Sequence, residues 1–344
     1  MALPLVKSAV ACTDFTRTVQ SYIPQLNALP QQIYQSATDL QALKELYLST
    51  NPLISAFAFS LALVPIVLVI SEINRNYSQI DRIWSLLPTF YNLHYVAYAH
   101  AKGLPTQRLD SLAIISLVWS ARLTYNYWRK GGYQVGSEDY RWKIVKDYVN
   151  SPILFFIFNI AFISLAQSVL LFSVTMPTYV LLLAAPVTKA QTPDILFTQV
   201  LIGCVFLAYI ADQQQWDFHV AKDSYQNSAK VPPSSRYTAA DLDRGFNTKG
   251  LWSLSRHPNF LAEQSVWLTL YIWSCWATGT NYHWAGLGAA AYLFLFQSST
   301  WLTELITAGK YSDYKMYQKR VGKFVPSLWG EGMPSANAAG KKQK

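Results

Sequence analysis

A repeated run of about 20 apolar residues constrains this chain more than any other feature. A bilayer core about 30 Å thick takes about 20 mostly apolar helical residues to cross. In lipid, only helices or closed barrels satisfy their own backbone groups. Seven segments meet or approach that length: 53–71, 83–101, 110–128, 152–175, 194–212, 259–278 and 284–305. The first and fourth are the strongest. The second is aromatic and carries His94 and His100, the third encloses Arg122, and the fifth ends at Asp212. The apolar stretch 176–187, with Pro177 and Pro186, either extends the fourth span or lies in the membrane interface. The expected fold class is all-α, a polytopic integral membrane protein with about seven transmembrane helices and cytosolic loops. Residues 1–50 form a mixed, polar N-terminal segment, 51–330 the spans and their loops, and 331–344 a disordered tail.

Composition agrees with this. Of 344 residues, 51% are hydrophobic and 14% charged, against about 25% charged in soluble domains. Disordered chains are excluded, and an ordinary soluble enzyme is disfavoured. The three cysteines, Cys12, Cys204 and Cys275, are too scattered for a disulfide framework or a zinc cluster. The net charge of +9 has no nucleic-acid motif behind it, and it reads instead as topology.

Lys and Arg mark the cytosolic side of a membrane protein. The loop 129–151 holds five, the loop 213–258 six, and the chain from 306 onward eight, whereas the connections 102–109, 176–193 and 279–283 hold three together. Seven alternating spans fit this distribution with a lumenal N-terminus and a cytosolic C-terminus. Residues 1–50 lack a basic start followed by an apolar core, so no cleavable signal peptide is expected. With the C-terminus in the cytosol, Lys341 and Lys342 stand where a dilysine retrieval signal requires them. That signal is an address read by coat-type retrieval machinery, and it implies the endoplasmic reticulum membrane. The plainer alternative is a basic tail near anionic lipid.

The unusual polar residues gather at the cytosolic ends of the spans. They include Asp81 and Trp84; the run from Arg122 to Trp142 with Glu138, Asp139 and Arg141; Asp212; Arg256, His257, Asn259 and Glu263; and Tyr311 and Tyr314. Positive-inside topology accounts for the basic residues but not for the acids. Pro258 suits the first turn of a helix, whose N-terminus favours an anion beside Arg256. Asn259 and Glu263 are four apart and share a helix face. Ionisable groups at membrane depth face a partner or a wet cavity, so Glu263 either serves a site or locks helix packing against an arginine. The same two readings hold for Arg122, Asp212 and Glu304. Alternatively Arg122 snorkels to the interface, and the acid run at Glu138–Asp139 is a solvated surface. His94 and His100 read as packing or interfacial residues. Walker, Rossmann, zincin and nucleophile-elbow motifs are absent from the sequence.

Three stretches carry a resemblance. WSARLTYNYWRKGGYQVGSEDYRW, LWSLSRHPNFLAEQSVW and KYSDYKMYQKRVGKFVPSLW, in that order, resemble the DUF1295 group of the steroid 5-alpha-reductase C-terminal superfamily, over roughly residues 53–330. The resemblance implies a helical membrane oxidoreductase that takes NADPH from the cytosol. In the related steroid reductases an Asn and a Glu of the C-terminal motif contact the nicotinamide end, and Asn259 and Glu263 match them. An Asp late in the preceding helix belongs to the same site, and Asp212 is the nearest match. The last helix departs from the steroid reductases: Phe296 to Glu304 reads FQSSTWLTE where they carry Arg and His. The steroid-holding Glu and Tyr of the N-terminal half have no evident match.

The leading expectation is therefore reduction of a double bond in an apolar, sterol-like lipid enone. Arg141 and Arg256 would take the cofactor phosphates, with Arg122, Glu138, Asp139, His257, Tyr311 and Tyr314 around the cofactor and Asp81 and Trp84 toward the substrate. A protonated carboxyl or a tyrosine would stabilise the developing enolate, with Glu263, Glu304 and Tyr98 as candidates. The Arg-His-Pro element also resembles membrane methyltransferases of the isoprenylcysteine carboxyl methyltransferase type, which use S-adenosylmethionine. A third alternative is a non-enzymatic lipid- or sterol-binding membrane protein.

Overall fold

The computed structural model describes residues 2–326 and Met333. Among them every regular element is helical, and the one extended pairing is a parallel bridge between Ser255 and Gly322. The chain divides into two units, one of Met1–Leu201 with Trp267–Tyr292, the other of Ile202–Val266 with the chain from Leu293 onward.

The first unit opens with short helices α1 (Phe15–Thr18), α2 (Ile23–Ser36) and α3 (Leu40–Ser49). Asp14 and Asp39 cap α1 and α3 with their carboxylates, which satisfies N–H groups a helix start leaves open. These helices are docked on the bundle. Tyr179 donates to the carbonyl of Thr18 at 2.8 Å, Asn51 donates to the Tyr179 hydroxyl at 2.9 Å, and the Tyr47 hydroxyl lies 3.1 Å from His94 Nδ1. Asn51 also caps α4 (Pro52–Asn74), and Arg75, at φ 49°, ends it. Then follow α5 (Gln79–Ile83), α6 (Leu87–Ala101), α7 (Gln107–Arg129), α8 (Tyr140–Val149) and α9 (Pro152–Phe158). A π-helical segment, Asn159–Ala166, joins α9 to α10 (Gln167–Ser173). The stretch expected as a span extension or interfacial segment continues the fourth span as α11 (Met176–Ala184), set off from α10 by a short turn and buried from Pro177 to Ala184. A helix apolar all round has no solvent face to offer, and here protein surrounds it.

Among the described residues, three stretches of helix are long and apolar enough to cross a membrane: Pro52–Asn74, Pro152–Ala184 and Thr192–Ser228. The other four expected spans are helices too, α6, α7, α14 (Pro258–Thr278) and α15 (Gly286–Lys310), without that apolar length. The 15 residues of α6 reach only about 22 Å at about 1.5 Å per residue. Arg108, Asp110, Arg122 and Arg129 lower the hydropathy of α7.

The second unit takes the later part of α12 (Thr192–Ser228). A Thr238 capping box starts α13 (Ala239–Arg244), and Gly245, at φ 88°, ends it. A 3-10 turn at Gly250–Ser253 leads into the start of α14. After the second half of α15 comes α16 (Tyr314–Arg320). Two small cores hold these parts, one of Phe218, Ala221, Tyr237 and Leu242, the other of Phe246, Tyr314, Tyr317 and Val321. Trp252 donates its indole N–H to the Ala211 carbonyl at 3.1 Å, which ties the 3-10 turn to α12.

Candidate functional site

The segment entering α14 is fixed by its backbone. Arg256 N–H donates to the Gly322 carbonyl at 2.9 Å and His257 N–H to that of Lys323 at 3.1 Å. This points the Arg256 side chain inward. Its Nε and Nη2 donate to the two oxygens of Glu304 at 2.6 and 3.0 Å, and Nη1 donates to the carbonyls of Gln318, at 3.0 Å, and Val321. His257 Nε2 lies 2.9 Å from Glu304 Oε1, Gln318 donates to Oε2 at 3.0 Å, and the Tyr314 hydroxyl donates to Oε1 at 3.4 Å. Arg256, His257 and Glu304 are all buried. A two-pronged guanidinium pair of this kind recognises the carboxylate form.

Three expected roles change here. Arg256 was expected to hold phosphate, but its guanidinium is turned into the protein by the bridge and engaged there. Glu304, a candidate acid donor, is instead the acceptor at the centre of the cluster. Tyr314 was expected at the cofactor; its hydroxyl turns to Glu304 and its ring packs on Phe246 and Tyr317. Burial holds the His257 imidazole below its usual range, against the weaker upward pull of Glu304.

A second group lies beside this one. Asn259 donates to Asp212 Oδ1 at 3.1 Å and accepts from Phe260 N–H at 3.0 Å. Asp212 and Glu263 are buried, Glu263 one turn further along α14. The helices run antiparallel: residues 256 and 257 meet 304, and Phe260 meets Phe296 with ring centres 5.0 Å apart. Thr300 stands midway between Phe296 and Glu304 on the same face of α15. It is fully buried, and among the described residues its hydroxyl has no hydrogen-bond partner. Threonines in helices commonly donate to the carbonyl four residues back, and Thr303 and Thr307 on this helix do so at 2.9 and 2.8 Å. The sequence carries no signal for Thr300, because the unused hydroxyl becomes visible only once its neighbours are placed.

In the first unit, the acids around α5 and α8 form a latch. Asp81 accepts from the Trp142 indole at 2.9 Å, Glu138 from Tyr77 N–H at 2.6 Å, and Asp139 N–H donates to Ser78 at 2.9 Å. Asp139 caps α8 and pairs with Arg141 through both oxygens, at 2.8 and 2.7 Å. Burial would raise the Asp139 carboxyl, but Arg141 outweighs it and holds it below the usual range. Burial lifts the Asp81 carboxyl above that range, against the Trp142 hydrogen bond. Trp84 packs against Tyr292 at 6.3 Å. Arg122 is buried within α7. Tyr98 donates to the Leu48 carbonyl at 3.1 Å, so it serves to dock the N-terminal helices. Lys341 and Lys342 lie outside the described residues.

Within the second unit, then, Arg256, His257 and Glu304 form one group and Asp212 with Asn259 another, with Glu263 one turn along α14 and Thr300 on the face of α15 that carries Phe296 and Glu304. Within the first, Asp81, Glu138, Asp139 and Arg141 are gathered around a loop junction. A helical chain of membrane type with buried carboxylates and an amide at one helix start is the class these features define. The chain belongs to the family described as protein of unknown function (DUF1295), whose model matches residues 67–321. It is 36% identical over 328 residues to the Schizosaccharomyces pombe uncharacterized protein C594.04c, spanning 95% of this chain and 94% of that one. No solved structure matches it.

Proposed function

We propose that this protein is a multi-span membrane reductase that uses NADPH to reduce a double bond in an apolar lipid. The observation that carries the reading is the buried set Asp212, Asn259, Glu263 and Thr300. A nicotinamide carboxamide requires an acceptor for its NH2 and a donor for its carbonyl. Asp212 and Glu263 supply acceptors, and the Asn259 amide and the unused Thr300 hydroxyl supply donors, so the residues fit the group chemically. NADPH, when bound, supplies the hydride. Asn259 and Asp212 orient each other, and Glu263 is the carboxyl one turn deeper, the candidate to hold a proton for the reduced product. The Arg256–Glu304 pair fastens the start of α14 and so fixes where Asn259 points. Seven spans, with a lumenal N-terminus and a cytosolic C-terminus, remain the arrangement that best fits the charge distribution, and the dilysine pair supports residence in the endoplasmic reticulum.

One observation favours a second reading. Arg256 and Arg141 both engage carboxylates, so two of the cations expected for phosphates have other work. S-adenosylmethionine has no phosphate, and a methyltransferase would need none of them. The deciding experiment is thermal denaturation of the full chain in mild detergent with NADPH and S-adenosylmethionine in separate titrations. A rise with NADPH that Asn259→Ala abolishes supports the reductase. A rise with S-adenosylmethionine alone overturns it.

A further inference from the structure

Lys222 is a buried cation with no anion beside it among the described residues. It stands on α12 with 9% of its surface exposed. Its ammonium donates to the Gly245 carbonyl at 3.0 Å and to the Tyr311 hydroxyl at 2.8 Å. Among the described residues no carboxylate lies within ion-pair distance of it. Burying a charge without a counter-charge is costly. The neighbouring acids face elsewhere: Asp313 lies 3.8 Å from Arg244, and Asp243 accepts from Tyr225 at 3.5 Å.

A second cation adds to the imbalance. The Lys310 ammonium lies 5.3 Å from the centre of the Tyr311 ring and that of Lys222 5.0 Å from it. Lys310 is exposed, so the spot opens to solvent on that side. Burial would raise the Tyr311 hydroxyl, but the two lysines outweigh it and draw it below its usual range, a sign of the local positive field. Gly245 makes the arrangement possible. Its φ is 88°, and a Cβ there would fall 2.1 Å from the Tyr311 ring, so only glycine lets the ring lie against this turn and its hydroxyl meet Lys222.

We infer that Lys222, Lys310 and the Tyr311 hydroxyl form a binding site for a phosphate monoester. A dianionic phosphate would supply the missing counter-charge and accept from all three groups. On the reading of the chain as an NADPH enzyme, on which this part rests, the site would separate NADPH from NADH through the 2′-phosphate.

The test uses the full chain in detergent and three probes: adenosine 2′,5′-bisphosphate, adenosine 5′-diphosphate and dioctanoyl phosphatidic acid. Binding is read from melting temperature against probe concentration. Adenosine 2′,5′-bisphosphate is expected to bind more tightly than the 5′-diphosphate. Lys310→Gln, at an exposed position, is expected to weaken it about tenfold, and Lys222→Met at least as much. If phosphatidic acid alone binds, with the same dependence on Lys310, the anion site stands and the NADPH reading falls. Binding of either monoester that is unchanged in Lys310→Gln, or no binding of either, overturns the site.

Discussion

Arg256 and Glu304 join the start of α14 to the C-terminal part of α15 through a buried two-pronged ion pair, 2.6 and 3.0 Å long. The pair is braced by His257, Gln318 and Tyr314 on the acid side and by two backbone carbonyls on the arginine side. Removing one member of such a pair leaves the other charge buried and unmatched, which costs about 3–5 kcal/mol. Glu304→Ala is therefore expected to lower the melting temperature sharply. Glu304→Gln, which keeps the shape and one acceptor, should lose less. A Glu304→Ala protein with an unchanged melting temperature would contradict this account.

Thr300 should behave oppositely to Glu304. Replacing an unpartnered buried hydroxyl with a methyl group removes an unsatisfied donor, a change that is neutral or stabilising by about 1 kcal/mol. Thr300→Val is thus expected to keep or raise the melting temperature of the unliganded chain while weakening NADPH about tenfold. Asn259→Ala removes a hydrogen bond to Asp212 as well, so it should weaken NADPH further with a small loss of stability. Equal NADPH affinity in wild type and Thr300→Val would remove Thr300 from the site.

His257 sets a pH dependence. Its folded value lies below the unfolded one because burial disfavours the charged ring. Above about pH 6.5, the ordinary histidine value, both states are neutral and the stability is fully present. As pH falls, the unfolded chain binds a proton that the folded chain resists, and stability is lost until the folded value is passed. Asp139 and Asp241, both held below the usual range, add a further loss only below about pH 4. Melting temperature should therefore fall between pH 7 and 5, and His257→Gln should reduce that slope, His283 contributing in the same direction. An unchanged slope would assign it to other groups.

The sequence made the helices legible because apolar length is a local property. It also placed Asn259 and Glu263 on one helix face, and Asp212 proved to be the residue that meets Asn259. It could not tell which arginines point inward. Arg256 reads as a phosphate ligand beside a helix start, yet the bridge from Ser255 to Gly322, 67 residues away in sequence, turns it toward Glu304. Tyr98 and α11 were opaque for the same reason. Tyr98 and, on α11, Tyr179 donate to carbonyls of the N-terminal helices, whose mixed polar sequence gives no sign that they dock. Lys222 looked like one more cytosolic charge, because burial without a counter-ion is invisible until Gly245 and Tyr311 are placed.

Gly288 tests the packing of the first unit. A glycine within a helix costs about 0.5–1 kcal/mol relative to alanine, so by propensity alone Gly288→Ala should stabilise α15. The structure opposes this. A Cβ at Gly288 would fall 2.0 Å from the Ser173 carbonyl oxygen and 2.8 Å from Val174 N. Both are backbone atoms in the turn between α10 and α11, and they cannot swing aside as a side chain would. Overpacking of this kind costs about 1–3 kcal/mol, enough to reverse the propensity gain. Gly309, on the same helix with nothing within 4 Å of its Cβ position, is the control. Gly309→Ala is expected to raise the melting temperature and Gly288→Ala to lower it. If both raise it, the turn between α10 and α11 is not held against α15 as described.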